Sequence, residues 1–185
     1  MKKYLVIDTS TTDSSICLLL GEDELIKKDV AQMNQTKELV PLIKQLLTFE
    51  QLCLQDLTGI AVCTGPGLFT GTRVGAMTAK TLAYSADIPL FPFSSFDLFE
   101  KCLPHAAIDA KCSRAHLFSM GQVSMIAHQD LCSLAGPTYV LELAPFAHLS
   151  VELTLTQKDY KKLYSQFDLQ TPKFHNEVKI NYNMR

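Results

Sequence analysis

Two clusters of residues in this chain could do chemistry. The first is Asp8-Thr9-Ser10-Thr11-Thr12, a carboxylate followed by hydroxyl side chains, at the end of the apolar run Tyr4-Leu5-Val6-Ile7. Oxygen ligands of this kind can hold a hydrated Mg²⁺ and contact phosphate oxygens. The same residue types also end strands and satisfy turns with no ligand, because their short side chains bond to nearby backbone. The second cluster is Cys63-Thr64-Gly65-Pro66-Gly67-Leu68-Phe69-Thr70-Gly71-Thr72-Arg73-Val74-Gly75. It joins the apolar run Gly59–Cys63 to a proline-free segment from Thr70 to Ser85. Strand, glycine turn and helix aim free N–H groups at whatever lies above the turn, so an anion could sit there. The turn is neither a P-loop, since no Gly-Lys-Ser/Thr follows, nor G-x-G-x-x-G. A tight turn that packs Phe69 downward fits equally well.

The helix after the turn carries a second signal. Gly71, Gly75, Ala79 and Ala83 recur every four residues and leave one face almost bare. Each helical glycine costs about 1 kcal/mol relative to alanine, so a close approach must return more than that. Small residues also fit against a parent sheet, but the cost favours a contact with a partner helix. Arg73 lies close to the stripe, where it is either solvated or able to form a bidentate ion pair.

These clusters need elements to hold them. Tyr4–Asp8, Ile16–Leu20 and Leu25–Val30 read as three strands in meander order, with Gly21-Glu22-Asp23 as a hairpin turn. Leu39, Leu42, Ile43, Leu46 and Leu47 recur at helical spacing, with Thr36 as an N-cap and Pro41 near the first turn. Gly59–Cys63 and Leu90–Phe93 read as strands. Ser94 or Ser95 caps a helix over Phe96–Leu103. Beyond Pro104, strands are expected at Ala107–Asp109, His116–Met120, Val123–His128 and Tyr139–Leu143, and a helix at Lys158–Phe167. The tail from Pro172 is polar and expected to pack poorly. No internal repeat is visible. This order describes a mixed-sheet α/β protein with an N-terminal lobe over residues 1–103 and a smaller lobe over 104–185.

Composition narrows the function. The 185 residues carry Lys+Arg 17 against Asp+Glu 19, a net charge of −2, which is no footprint for autonomous nucleic-acid binding. The six cysteines include no C-x-x-C pair and sit in mostly apolar surroundings, as expected of buried reduced thiols in a cytosolic protein. No signal peptide or membrane span is expected. The five histidines form no i,i+4 pair, and there is no G-x-S-x-G elbow. Lys158-Asp159 and Asp109-Ala110-Lys111 read as surface pairs. No acid/base constellation emerges.

Ile7-Asp8-Thr9-Ser10 and Gly65-Pro66-Gly67-Leu68-Phe69-Thr70-Gly71-Thr72-Arg73-Val74-Gly75 together resemble the TsaB (YeaZ) family of tRNA threonylcarbamoyladenosine biosynthesis, historically labelled M22 peptidase-like. Thr36-Lys37-Glu38-Leu39-Val40-Pro41-Leu42-Ile43, Phe93-Ser94-Ser95-Phe96-Asp97 and Ala107-Ile108-Asp109-Ala110-Lys111 extend the resemblance over roughly the first 120 residues. Leu68 stands where the family has Ser, Thr72 where it has Leu or Val, and its first-helix His is replaced near Gln35 and Thr36. The second lobe matches weakly.

The resemblance implies the ASKHA (actin-like ATPase, RNase H-like) fold, a mixed sheet opening βββαβα, with a shortened second lobe. It implies a non-catalytic subunit that pairs through its first two helices with a TsaD-like catalytic subunit, or with itself when alone. A TsaE-like ATPase joins them, and tRNA is met only through the complex. The implied interface is Leu39, Ile43, Gly71, Arg73, Val74, Gly75, Thr78 and Ala79. A large charged residue at Gly75 should then abolish dimerisation and leave the monomer folded. No cofactor is firmly implied. Asp8, Thr9 and Ser10 form a weak phosphate-loop-like set, and weak ATP or ADP binding with Mg²⁺ at the partner interface is compatible with it. Two other readings remain: an active ASKHA ATPase or phosphotransferase with Asp8 and Thr9 at the phosphates, and a peptidase, for which no nucleophile or metal site speaks.

Overall fold

The computed structural model describes residues 1–12, 14–22, 24–30, 35–99, 103–149, 153–169 and 173. Its first sheet is built from β1 (Lys3–Asp8), β2 (Ser14–Leu20), β3 (Glu24–Val30), β4 (Gly59–Cys63) and β5 (Leu90–Phe93), in the order β3-β2-β1-β4-β5. The β1–β3 meander is antiparallel, and β4 and β5 add parallel to β1. β1, β2 and β4 are buried on both faces, which explains why they read as continuous apolar runs.

Side-chain alternation divides this sheet cleanly. Leu5, Ile7, Ile16, Leu18, Ile60 and Val62 point to one face, which is covered by helices α1 (Gln35–Phe49) and α2 (Phe69–Ala86). Tyr4, Val6, Cys17, Leu19, Ala61 and Cys63 point to the other. Helix α1 begins at Gln35, so Thr36 lies inside it and Pro41 sits in its second turn. Helix α2 ends at Asp87, a left-handed residue whose N–H bonds back to the Ala83 and Tyr84 carbonyls. The expected helix over Phe96–Leu103 is instead a short 3₁₀ turn, Ser95–Leu98. Asp97 accepts from the Ser94 N–H and Ser94 from the Phe96 N–H, closing the turn after one cycle.

The second sheet has the order β10-β9-β6-β7-β8, formed by β6 (His105–Lys111), β7 (Arg114–Ser119), β8 (Gln122–Ala127), β9 (Thr138–Val140) and β10 (Leu153–Leu155). It repeats the first: an antiparallel three-strand meander, then two strands added in parallel. The sequence shows no such repeat because the connections differ. Where the first lobe has α1 and α2, the second has 3₁₀ turns at His128–Ser133 and Ala144–Phe146. This is the ASKHA-type fold with a reduced second lobe.

The assignment of residues 104–185 to that second lobe needs correction. After β10 the chain returns to the first sheet, where helix α3 (Leu163–Leu169) lies against its second face. Tyr4 meets Phe91, Tyr164 and Phe167 edge-on, with ring centroids 5.2, 5.6 and 5.3 Å away. Lys173 exchanges both backbone hydrogen bonds with Leu90 at 3.0 Å. The remainder of the tail from Pro172 lies outside the described residues. The cysteine reading also changes. Cys17 and Cys63 are buried, but Cys53, Cys112 and Cys132 are exposed, and Cys102 lies outside the described residues.

Candidate functional site

Asp8 ends β1 opposite Ser15 and is fully buried. By alternation it shares the face of Tyr4 and Val6, whereas Thr9 points the other way. The consequence is direct. Thr9 Oγ1 donates to the Gly71 carbonyl at 2.7 Å, on the helix side. The two residues that a phosphate would need together are directed to opposite faces of the sheet.

Asp8 is surrounded by donors. Its Oδ1 accepts from Ser10 N (3.0 Å) and Ser10 Oγ (2.6 Å). Its Oδ2 accepts from the Lys158 ammonium (2.9 Å) and the Tyr160 hydroxyl (2.9 Å). Tyr160 is held in turn by Ser15 Oγ at 2.7 Å. Burial alone would raise the Asp8 pKa, but the Lys158 charge and the Ser10 hydrogen bonds outweigh it and hold the carboxyl below its usual value. Burial and the Asp8 charge drive the Tyr160 hydroxyl far upward, so it remains a donor.

The glycine turn closes over this network. Leu68 N–H, an amide that could have met an anion, donates to Ser10 O at 2.6 Å. Gly67 packs on the Ser10 backbone so closely that a Cβ would fall inside the carbonyl oxygen and 2.9 Å from its carbon. Ser95 Oγ donates to Pro66 O at 2.7 Å, and Ser95 N to Gly65 O at 3.1 Å. Thr72 Oγ1 donates back to Leu68 O at 2.8 Å. The turn serves as a lid on β1 and as the start of a helix. Cys63, beside Ser95, is pushed up to about 12 by burial and by the Asp8 charge, so it carries no thiolate at neutral pH. Among the described residues, no group of three His, Cys, Asp or Glu side chains could hold a metal ion.

The bare stripe faces inward. Gly71, Gly75, Ala76, Ala79 and Ala83 are buried, and a Cβ on Gly75 would meet Thr9 Oγ1 well inside contact distance and Ile7 Cγ2 at 3.4 Å. Leu39 and Ile43 of α1 lie in the same core. Five of the expected interface residues, Leu39, Ile43, Gly71, Gly75 and Ala79, are therefore core residues of the folded chain, corrected by the close seating of α2 on β1. Val74 and Thr78 are half-buried, and Arg73 is exposed, its guanidinium 3.5 Å from the Phe69 ring centroid. What the helices present outward is different: Phe69, Arg73, Met77 and Tyr84 form one line along α2, and Val40 is exposed on α1. The exposures of Met77 (59%), Tyr84 (71%) and Val40 (51%) are high for apolar side chains on a folded domain.

Lys158, Tyr160, Ser15 and Ser95 were not legible as site residues. Lys158 reads as half of a surface pair with Asp159, yet it is almost fully buried. A lysine two residues before an inward-facing tyrosine was the one available signal.

The curated relatives bear on this geometry. The chain is 36% identical over 120 residues to the tRNA threonylcarbamoyladenosine biosynthesis protein TsaB of Haemophilus influenzae, covering 60% of this chain and 51% of that protein. It is 40% identical over 95 residues to TsaB of Bacillus subtilis, covering 50% of this chain and 41% of that protein. The chain is similar to TsaB proteins over half of its length or more. Residues 26–103 also match the family model described as TsaD: tRNA N6-adenosine threonylcarbamoyltransferase. YeaZ from Pseudomonas aeruginosa superposes with a TM-score of 0.75 at 18% identity, covering 98% of this chain and 100% of that one, so the fold is shared. The chain spans about half the length of the curated relatives it matches. No described helix is long and apolar enough to cross a membrane.

Two expectations follow for the buried network. Tyr160→Phe removes a hydroxyl that links Asp8 to Ser15 and should cost about 1–3 kcal/mol in urea unfolding, because a buried acceptor loses its donor. The depressed Asp8 pKa should also make stability depend on acid. Its contribution is fully present above the unfolded carboxyl value, near 4, and is lost as pH falls through the lower folded value. Urea midpoints at pH 6 and pH 3 should therefore differ more for the wild type than for Asp8→Asn.

Proposed function

We propose that this chain is a non-catalytic subunit in the transfer of a threonylcarbamoyl group to N6 of adenosine 37 of tRNA, acting in the cytoplasm by docking on a TsaD-like catalytic subunit. The observation that carries this reading is the outward line Phe69, Arg73, Met77 and Tyr84 on α2, with Val40 also exposed on α1. Aromatic, Met and Arg side chains in one patch are what protein interfaces concentrate. Two further facts support it. The curated relatives are named for this modification, and the segment matching the TsaD model contains both helices.

The docking residues are then the outer faces of α1 and α2, Arg73 among them, with half-buried Val74 and Thr78 at their margin. The chain would pair with itself when no partner is present. A TsaE-like ATPase would join the complex, and tRNA would be bound mainly by the partner, in keeping with a net charge of −2. Weak nucleotide binding would belong to the partner interface and not to Asp8. Co-expression with the TsaD-like protein of the same organism tests the pairing. A stable 1:1 complex on gel filtration is expected. Separate elution at micromolar concentration would count against it.

A further inference from the structure

The fold implies a cation and a nucleotide in the cleft between its two sheets, and this chain's own residues do not fit them. Each Asp8 oxygen already accepts two protein donors. A carboxylate offers about four acceptor positions, so a hydrated divalent ion would have to displace one of these donors. Lys158 Nζ is one of these donors, and it also donates to Thr11 Oγ1. Space points the same way. The cleft lined by Ser10, Thr11, Leu68, Asp109 and Glu142 has a volume of about 20 Å³. That is room for roughly one water molecule. Glu142 accepts from the Thr12 N–H at 2.7 Å, closing the cleft from the second lobe.

Lys158 belongs to neither sheet. It sits on the segment that runs from β10 back to α3, three residues beyond the end of β10. Its ammonium therefore joins the return segment to the end of β1. We propose that Lys158 is a tethered counter-cation that permanently fills the cation position at Asp8 and latches the return segment onto the first sheet, so the cleft is closed to metal-bound nucleotide. Lys158 is a positioning residue in this account, and no step of chemistry passes through it. The inference rests on the fold and these contacts, and not on the partner role. Complex formation with a TsaD-like protein can fail while the latch is correct, and the reverse also holds.

The test is rescue by a free cation. Lys158→Ala leaves a buried carboxylate with an open position. Its thermal midpoint should fall by several degrees, and millimolar MnCl₂ should recover part of that loss. The wild type and the double variant Asp8→Asn/Lys158→Ala should not respond to MnCl₂. An equal response in the wild type overturns the proposal, and so does no response in folded Lys158→Ala. If Lys158→Ala does not fold, competitive acetylation of the wild type decides. Lys158 should react at least tenfold more slowly than the exposed Lys37 and Lys44, and equal rates would overturn the latch.

Discussion

Gly75→Glu unfolds the chain, or costs it at least about 3 kcal/mol, instead of producing a folded monomer that has lost its partner. Helix propensity favours the substitution by less than about 1 kcal/mol, since any side chain improves on glycine. Packing opposes it more strongly. A Cβ at this position enters Thr9 Oγ1 and touches Ile7. Helix α2 cannot lift away to make room, because Thr9 is bonded to Gly71 one turn earlier and Ala76, Ala79 and Ala83 lie flat on the sheet. Overpacking of this kind costs about 1–3 kcal/mol, and burying an unpaired carboxylate adds to it. Urea unfolding followed by circular dichroism measures the effect. A Gly75→Glu protein with wild-type stability would return the stripe to the outside of the molecule. Gly67→Ala should be comparably harmful, since its neighbour is the Ser10 backbone, which cannot rotate aside.

The double variant Met77→Glu/Tyr84→Glu should behave in the opposite way. Both side chains are mostly exposed on the outer line of α2. Their replacement should cost less than about 1 kcal/mol in urea stability, well below the cost at Gly75. Association with the TsaD-like subunit should weaken at least a hundredfold, about 2.7 kcal/mol by the affinity relation. Charges placed among desolvated apolar anchors are poorly tolerated. Titration calorimetry with the purified partner reads this directly, and unchanged affinity would remove the outer face of α2 from the interface.

The inner and outer faces of α2 show where the sequence is readable. The strands β1, β4 and β5 and helix α2 stand within a residue or two of where apolar runs, the glycine turn and the proline-free segment put them, because local pattern and burial agree there. The direction of the small-residue stripe was not readable. Four-residue spacing shows that a face is bare but does not tell whether a sheet or a partner fills it, and here Thr9 fills it. The Asp8 site failed for a different reason. Alternation along β1 separates Asp8 from Thr9, and that much was available from the chain order. The neutralising lysine, however, lies about 150 positions away, at a point where only the fold returns the chain. The duplicated sheet stayed hidden because topology repeats while the connecting helices do not.

Reconstituted threonylcarbamoyl transfer tests the central claim most directly. The TsaD-like and TsaE-like proteins, a threonylcarbamoyl donor and tRNA are incubated with and without this chain, and the tRNA is digested for nucleoside analysis by mass spectrometry. The modified adenosine should form only when the chain is present, should be lost with Met77→Glu/Tyr84→Glu, and should not form with the chain alone. Equal modification without the chain, or modification by the chain in the absence of its partner, would contradict a non-catalytic docking subunit.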